Sequence, residues 1–387
     1  MTAPTSPSRA SPAAAPELAS LRVLLVHEWL YTWAGAERVL EQLVALMPHA
    51  DVLAGIVTPE MRREHPIAAR AMESWVGHLP GARRKHRWFL PLHALAFSRF
   101  DTRPYDLVVS ISHAFEKAVR ARKAGAAHVS YCLSPPRFLW DLHDEHARLA
   151  SAPQRIALGA AAGALRRLDR RFARRVDRFV SLSRHVADRV KRWYGRDSAV
   201  VYPPVRAKSP VAATSERMAP PYLLSIGRLV PYKRVDLAVQ AADRLGVRLV
   251  VAGDGPQRRA LERLAGPGTE FVGTVSEARA AELLSGCAAF VFCAEEDFGI
   301  APLEANAHGA PVVAFGRGAA RETMIDGETG VLFTEQTVDG VEVAIRRALD
   351  RRWDPAALAH NAARFSPERF REGMRRELLG AVEHARV

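Results

Sequence analysis

Short apolar runs, each followed by a loop of small or charged residues and then by a helical pattern, recur along this chain in two series. That rhythm leaves few folds open, because alternating strands and helices build a parallel sheet with helices on its faces. In the first series residues 21–27, 106–112, 128–132 and 179–183 read as buried strands, and residues 37–44 and 185–194 carry helical periodicity. Residues 200–205 close that series. Residues 206–220 are rich in turn formers and lack periodicity, so they read as a linker. The pattern then restarts, with strands at 222–226, 248–252, 271–273, 288–292, 311–315 and 330–333 and a helix opening at 235. For 387 residues, α/β domains over 21–205 and 221–366 are the natural reading, with a deep cleft where they join.

The densest chemistry lies between Glu295 and Glu304. Glu296 and Glu304 stand on either side of Phe298, Gly299, Ile300, Ala301 and Pro302, with a strand before and a helix after. Strand end, loop and first helical turn is where open α/β sheets hold ligands, and where free backbone N–H groups can hold phosphate. Gly299 permits close backbone approach. Pro302 suits a first helical turn, where its missing N–H costs nothing. Carboxylates here can accept hydrogen bonds from sugar or ribose hydroxyls. The loop after the 222–226 strand carries Gly227, Arg228 and Lys233, a fork and a point charge suited to a diphosphate. The next strand ends in Gly253, Asp254, Gly255 and Pro256. These loops share one rim.

The net charge of +13 fits acidic small molecules or an anionic membrane face. Cations mix with aromatic and apolar residues from Arg83 to Phe100, as an interfacial segment does. The arginines between 166 and 175 accompany Leu165, Leu168, Phe172 and Val176 at helical spacing, so they form the outer face of a packed helix. No nucleic-acid-binding motif is visible. Residues 1–20 lack the apolar centre of a signal peptide and read as a disordered tail. No apolar run is long enough to span a membrane. Cys132, Cys287 and Cys293 share no metal-ligand spacing and read as reduced thiols of a cytoplasmic protein. The stretch Asp141, His143, Asp144, Glu145 and His146 has ligand-type side chains but reads as scattered polar residues at a helix start, not a metal site.

The Gly227–Arg234, Gly253–Pro256 and Glu296–Glu304 segments together resemble the retaining glycosyltransferases of sequence family 4, over residues 21–387. That resemblance implies the GT-B fold: Rossmann-like domains facing across a cleft, with residues 367–387 packing back on the first domain. It implies that Arg228 and Lys233 hold the donor diphosphate, Glu304 the ribose and Glu296 the transferred sugar. Phe298, Gly299, Ile300 and Ala301 would contact donor mainly through backbone, beside Gly227, Gly253, Asp254 and Gly255. Gly35 and Ala36 match a glycine-containing loop that faces the same diphosphate, although Ala34 replaces one glycine. The segment Tyr131–Asp141 resembles one that places Pro135, Arg137 and Trp140 on the acceptor side. Its usual His is Leu133 here. His113 and His27 remain as imidazoles near the expected centre, His113 the catalytic candidate.

The expected activity is therefore transfer of a hexose, with mannose in view, from a nucleotide diphosphate sugar with retention and without metal or other cofactor. The expected acceptor is a lipid-linked or lipopolysaccharide glycan at the inner membrane face. The competing readings are a nucleotide-sugar epimerase on the same fold and a non-catalytic sugar-nucleotide or glycan-binding subunit.

Overall fold

The computed structural model describes residues 17–84, 86–141, 152–205 and 221–386. The linker 206–220, the tail up to residue 16 and residues 142–146 of the acid-and-imidazole stretch lie outside the described residues.

The strands of the first domain are β1 (Val23–Leu30), β2 (Asp51–Val57), β3 (Met72–Glu73), β4 (Leu107–Ser112), β5 (Ala127–Cys132), β6 (Arg178–Ser181) and β7 (Ser198–Val200). They form one sheet in the order β3-β2-β1-β4-β5-β6-β7. Those of the second are β8 (Tyr222–Ile226), β9 (Arg248–Ala252), β10 (Thr269–Gly273), β11 (Ala289–Phe292), β12 (Val312–Phe315) and β13 (Gly330–Phe333), ordered β10-β9-β8-β11-β12-β13. Every pairing is parallel. In each sheet the order reverses beside the first strand, between β1 and β4 and between β8 and β11. These are the switch points at which open parallel sheets leave a crevice above their carboxyl ends.

Strand burial explains the apolar runs. β4, β5 and β11 are buried along their whole length, which a sheet covered on both faces requires. β1 runs on to Leu30, past the polar His27 and Glu28 where the sequence pattern had ended, because Trp29 and Leu30 pair with Ile56 and Val57 of β2. β2 itself escaped the sequence reading: Ala54 and Gly55 break its apolar run. Residues 17–20 are not part of a disordered tail. They form a short 3-10 turn that places Leu18 in the core at 4% exposure.

The helix Pro367–Arg386 lies on the first sheet. Phe370 meets Tyr131 edge to face at 5.5 Å, Glu377 accepts from Arg178 at 2.6 Å, and Arg371 bonds Gln42. All three cysteines are buried and none forms a disulfide.

Candidate active site

The rim of the second sheet is built by backbone packing. A Cβ on Gly253 would stand 1.9 Å from the Gly227 carbonyl oxygen, and one on Gly255 2.4 Å from that of Leu229. Side chains there would force the β8 and β9 loops apart. Asp254 turns its carboxylate onto its own loop, accepting from Gly255 N–H at 2.6 Å. That bond makes it a clasp for its own loop. After β8 the chain makes a tight turn, Pro231–Lys233, and passes Arg234 at φ 50°, the one non-glycine residue with positive φ among those described. That turn delivers the Lys233 ammonium to Glu296, where the two form an ion pair. The ammonium also lies 5.4 Å from the centre of the Phe292 ring. Arg228 is exposed on the same loop.

Gly299 adopts φ 81° and starts the helix Ile300–Ala307. Pro302 has no N–H to leave unsatisfied, so Gly299, Ile300 and Ala301 supply the free donors of the first turn. Facing them from the first domain is the helix Gly35–Leu46, whose start is closed by Ala34 N–H donating to Glu37 at 3.0 Å. The two helix starts nearly touch: a Cβ on Gly35 would meet Ile300 Cδ1 at 2.9 Å. Two helix N-termini aimed at one space concentrate positive potential there, the field an anionic diphosphate needs. One turn into the first helix, Arg38 crosses the cleft and donates to Glu304 at 2.6 Å, with Glu277 at 3.5 Å. The site is thus self-paired: Lys233 holds Glu296 and Arg38 holds Glu304.

His113 sits at the end of β4 with its side chain 36% exposed. Its Nε2 lies 2.6 Å from Glu28 and its Nδ1 3.2 Å from Glu116, both carboxylates being buried. Burial opposes a charged imidazole, but Glu28 and then Glu116 outweigh it and hold the His113 pKa well above its ordinary value. Burial raises Glu28 to about 7, against the pull of His113. Burial would raise Glu116 too, yet His113 draws it down to about 2. With both nitrogens engaged by carboxylates, His113 has no free lone pair to take a proton from an acceptor. The structure makes it a half-buried counter-charge between Glu28 and Glu116, where the sequence led us to expect a free imidazole. His27 is buried without a hydrogen bond, 3.8 Å from Glu37, and burial lowers its pKa.

The Tyr131–Asp141 segment is likewise re-read. Trp140 is 8% exposed, donates its indole N–H to Asp169 at 2.9 Å and stacks on Trp193, so it is core and not an acceptor-side surface. Pro135 is buried, its carbonyl accepting from Arg189. Leu133 packs half-buried against the main core. Phe298 is buried between Tyr202 and Phe365, which leaves its backbone as the part a ligand could meet. Arg137 reaches across the cleft to lie over the Tyr232 ring at 5.1 Å.

Sequence reasoning missed the residues that join the domains. Asp297, between Glu296 and Phe298, accepts from Arg189, and its carbonyl accepts from the Ser183 hydroxyl at 2.6 Å. Glu322 accepts from the backbone N–H groups of Arg184 and His185 at 2.7 and 2.8 Å, capping the helix Arg184–Tyr194 from the other domain. Arg38 had a legible signal: a cation one turn past a glycine loop already matched to a diphosphate. Asp297 and Glu322 had none, because their partners are far away in sequence.

A cavity of about 800 Å³ opens between Arg137 and Arg192 of the first domain and Tyr232, Gln257 and Glu295 of the second. The space around Gly227, Arg228, Lys233 and Phe292 is nearly filled.

The family model described as Glycosyltransferase Family 4 matches residues 33–208, and that described as Glycosyl transferases group 1 matches residues 211–365. A glycogen synthase of Mycobacterium tuberculosis is 36% identical over 42% of this chain and 41% of its own length. A GDP-mannose-dependent alpha-mannosyltransferase of Mycolicibacterium smegmatis is 31% identical over 55% of this chain and 53% of its own. The chain thus spans about half or less of the length of these curated relatives. Anabaena HepE, solved with UDP and glucose, superposes with a TM-score of 0.66 at 18% identity, covering 92% of this chain and 98% of its own. Sucrose-phosphate synthase from Thermosynechococcus elongatus superposes with a TM-score of 0.64 at 20% identity, covering 93% and 96%. At such identities the likeness is one of fold.

Proposed function

The chain belongs to the family 4 glycosyltransferases and has their GT-B fold, and from that premise we propose that it transfers a hexose from a nucleotide diphosphate sugar to a glycan acceptor, with retention at the anomeric carbon. The observation that carries the proposal is the meeting of two helix N-termini across the cleft, flanked by Lys233–Glu296 on one side and Arg38–Glu304 on the other. Donor entry exchanges partners. The diphosphate takes Lys233, Arg228 and the free N–H groups of both helix starts. Glu296 and Glu304 are released to accept from sugar and ribose hydroxyls. As the glycosidic bond to the diphosphate breaks, charge grows on the leaving oxygen where Lys233, Arg228 and the helix dipoles already stand, which is preorganised electrostatic stabilisation. The acceptor oxygen attacks from the same face and its proton passes to the leaving phosphate, so neither a protein base nor a metal is required, in keeping with a His113 whose nitrogens are both engaged.

Mannose is the sugar we place first, because the mycolicibacterial relative is named for GDP-mannose. The UDP and glucose bound to the Anabaena neighbour make GDP and UDP sugars the two donors to compare. For the acceptor we place a lipid-linked or lipopolysaccharide glycan at the inner membrane face. The support is the segment from Trp75 to Trp88 of the first domain, where Trp88 is 84% and Trp75 45% exposed and Arg83 and Arg84 are exposed as well. Aromatic and cationic side chains together suit an anionic bilayer interface. Among the described residues no helix is long and apolar enough to cross a membrane.

The test is incubation with each nucleotide sugar and an extracted glycolipid acceptor, reading released nucleoside diphosphate and, by NMR, the anomeric configuration of the product. Stoichiometric release with a retained configuration supports the proposal. Epimerised sugar without elongation favours the epimerase reading, and donor binding without release favours a binding subunit.

A further inference from the structure

The 800 Å³ cavity shares the loops that carry Lys233 and Glu296, but neither of those residues lines it. Adjacent residues divide between the two spaces. Tyr232 lines the cavity while Lys233 pairs with Glu296, and Glu295 and Asp297 line it on either side of Glu296. A molecule in the cavity would therefore rest against the back of the very turn that holds the diphosphate. The size falls within the range of about 300–1,000 Å³ typical of small-molecule sites.

The lining chemistry selects the class of occupant. Four arginines face five carboxylates, so the walls carry almost no net charge. Much of that charge is already spent: Arg189 on Asp141 and Asp297, and Arg234 on Asp236. Arg137 and His185 also stand 3.9 Å from Asp297, which leaves Arg192, the Tyr232 ring beneath Arg137, and Asp188, Gln257 and Glu295, the last three with no side-chain hydrogen-bond or ion-pair partner among the described residues. A phosphate would meet carboxylates on most sides. A neutral polyhydroxylated ligand would find acceptors, donors and a planar phenol in one space, each hydroxyl able to donate and to accept.

We infer that this cavity binds neutral sugar residues of the acceptor glycan, with Tyr232, Asp188, Gln257 and Glu295 as its recognition groups. The inference rests on the reading of the chain as a glycosyltransferase. It places the acceptor's sugars, rather than its lipid or phosphate, between Arg137 and Tyr232, and it couples acceptor to donor through the single turn Pro231–Lys233.

Calorimetric titration of the full chain tests it, using short neutral α-linked oligosaccharides of glucose and of mannose, with GDP and UDP titrated in parallel. The expected result is saturable oligosaccharide binding that weakens by roughly tenfold in Tyr232→Ala and measurably in Asp188→Ala. Asp188 is exposed and unpaired, so its replacement spares the fold, and nucleotide affinity in Asp188→Ala should match the parent. Nucleotide binding with no oligosaccharide binding, with equal oligosaccharide affinity in both variants, or with a sugar phosphate preferred to the neutral sugar would overturn the inference and leave the transferase reading standing. Loss of nucleotide binding in the parent protein would overturn the reading beneath it.

Discussion

Lys233 and Glu296 show how one residue's task depends on another's. In the closed site each neutralises the other, and donor binding must separate them. Glu296→Ala leaves Lys233 free for phosphate while removing the acceptor for sugar hydroxyls. We predict near-normal nucleoside diphosphate binding with turnover reduced by on the order of a hundredfold, read by steady-state release of nucleoside diphosphate. Full activity would place the sugar elsewhere. The buried Glu28–His113–Glu116 group makes a different prediction, about pH. His113 is raised in the fold, so its stabilisation is complete below its unfolded pKa near 6.5 and is lost as pH rises toward the folded value. Glu28, raised to about 7, adds a loss of the same sign as pH climbs past its unfolded value. On the acid side, burial lowers His93 to about 4 and His128 to about 3, so stability is also lost as pH falls below 6.5. Melting temperature should peak slightly on the acid side of neutrality. Glu28→Gln should flatten the alkaline arm, and an unchanged arm would show that the pair does not titrate as described.

At the scale of elements, the loops and helix starts do the positioning, and their constraints are steric. Gly253→Ala puts a methyl into the Gly227 carbonyl at a φ of 133° that L residues rarely adopt, so a loss of about 1–3 kcal/mol or more in stability is expected from chemical denaturation. Arg189→Met removes the buried cation shared by the half-buried Asp297 and the exposed Asp141, while Arg137 and His185 stay 3.9 Å from Asp297. The expected loss is about 1–3 kcal/mol, again read by denaturation. The sequence disclosed these elements unevenly. Buried parallel strands such as β4 and β11 were plain as apolar runs, and the Gly299–Pro302 helix start was plain from its glycine and proline. β2 was hidden by Ala54 and Gly55, and the length of β1 was set by pairing with β2, which no local pattern carries. Trp140 and His113 looked like site residues because their chemistry suits a site. Only the third dimension shows Asp169 satisfying one and two carboxylates enclosing the other. Arg38 was readable from spacing, whereas the Glu322 cap on the helix at Arg184 depends on a contact between residues 138 positions apart.

The whole molecule is a pair of doubly wound sheets joined across a cleft by a small number of charged contacts and by the returning helix Pro367–Arg386. Arg38–Glu304 lies nearest the donor space, partly exposed, and contributes modestly to closure in water. Arg38→Ala should therefore leave the melting temperature almost unchanged yet enlarge the radius of gyration of the ligand-free protein in small-angle scattering, with saturating donor restoring the compact form. An unchanged radius would show that the domains are held by the Asp297 and Glu322 contacts alone. The account as a whole stands on one claim, that a nucleotide diphosphate binds between the two helix starts with Lys233 as its counter-charge. The direct measurement is calorimetric titration of GDP and UDP into the parent protein and into Lys233→Ala. Saturable binding of one nucleotide, weakened by roughly tenfold or more in the variant, is what a charge-assisted phosphate contact requires. Equal affinity in the two proteins, or no binding of either nucleotide to the parent, would contradict it.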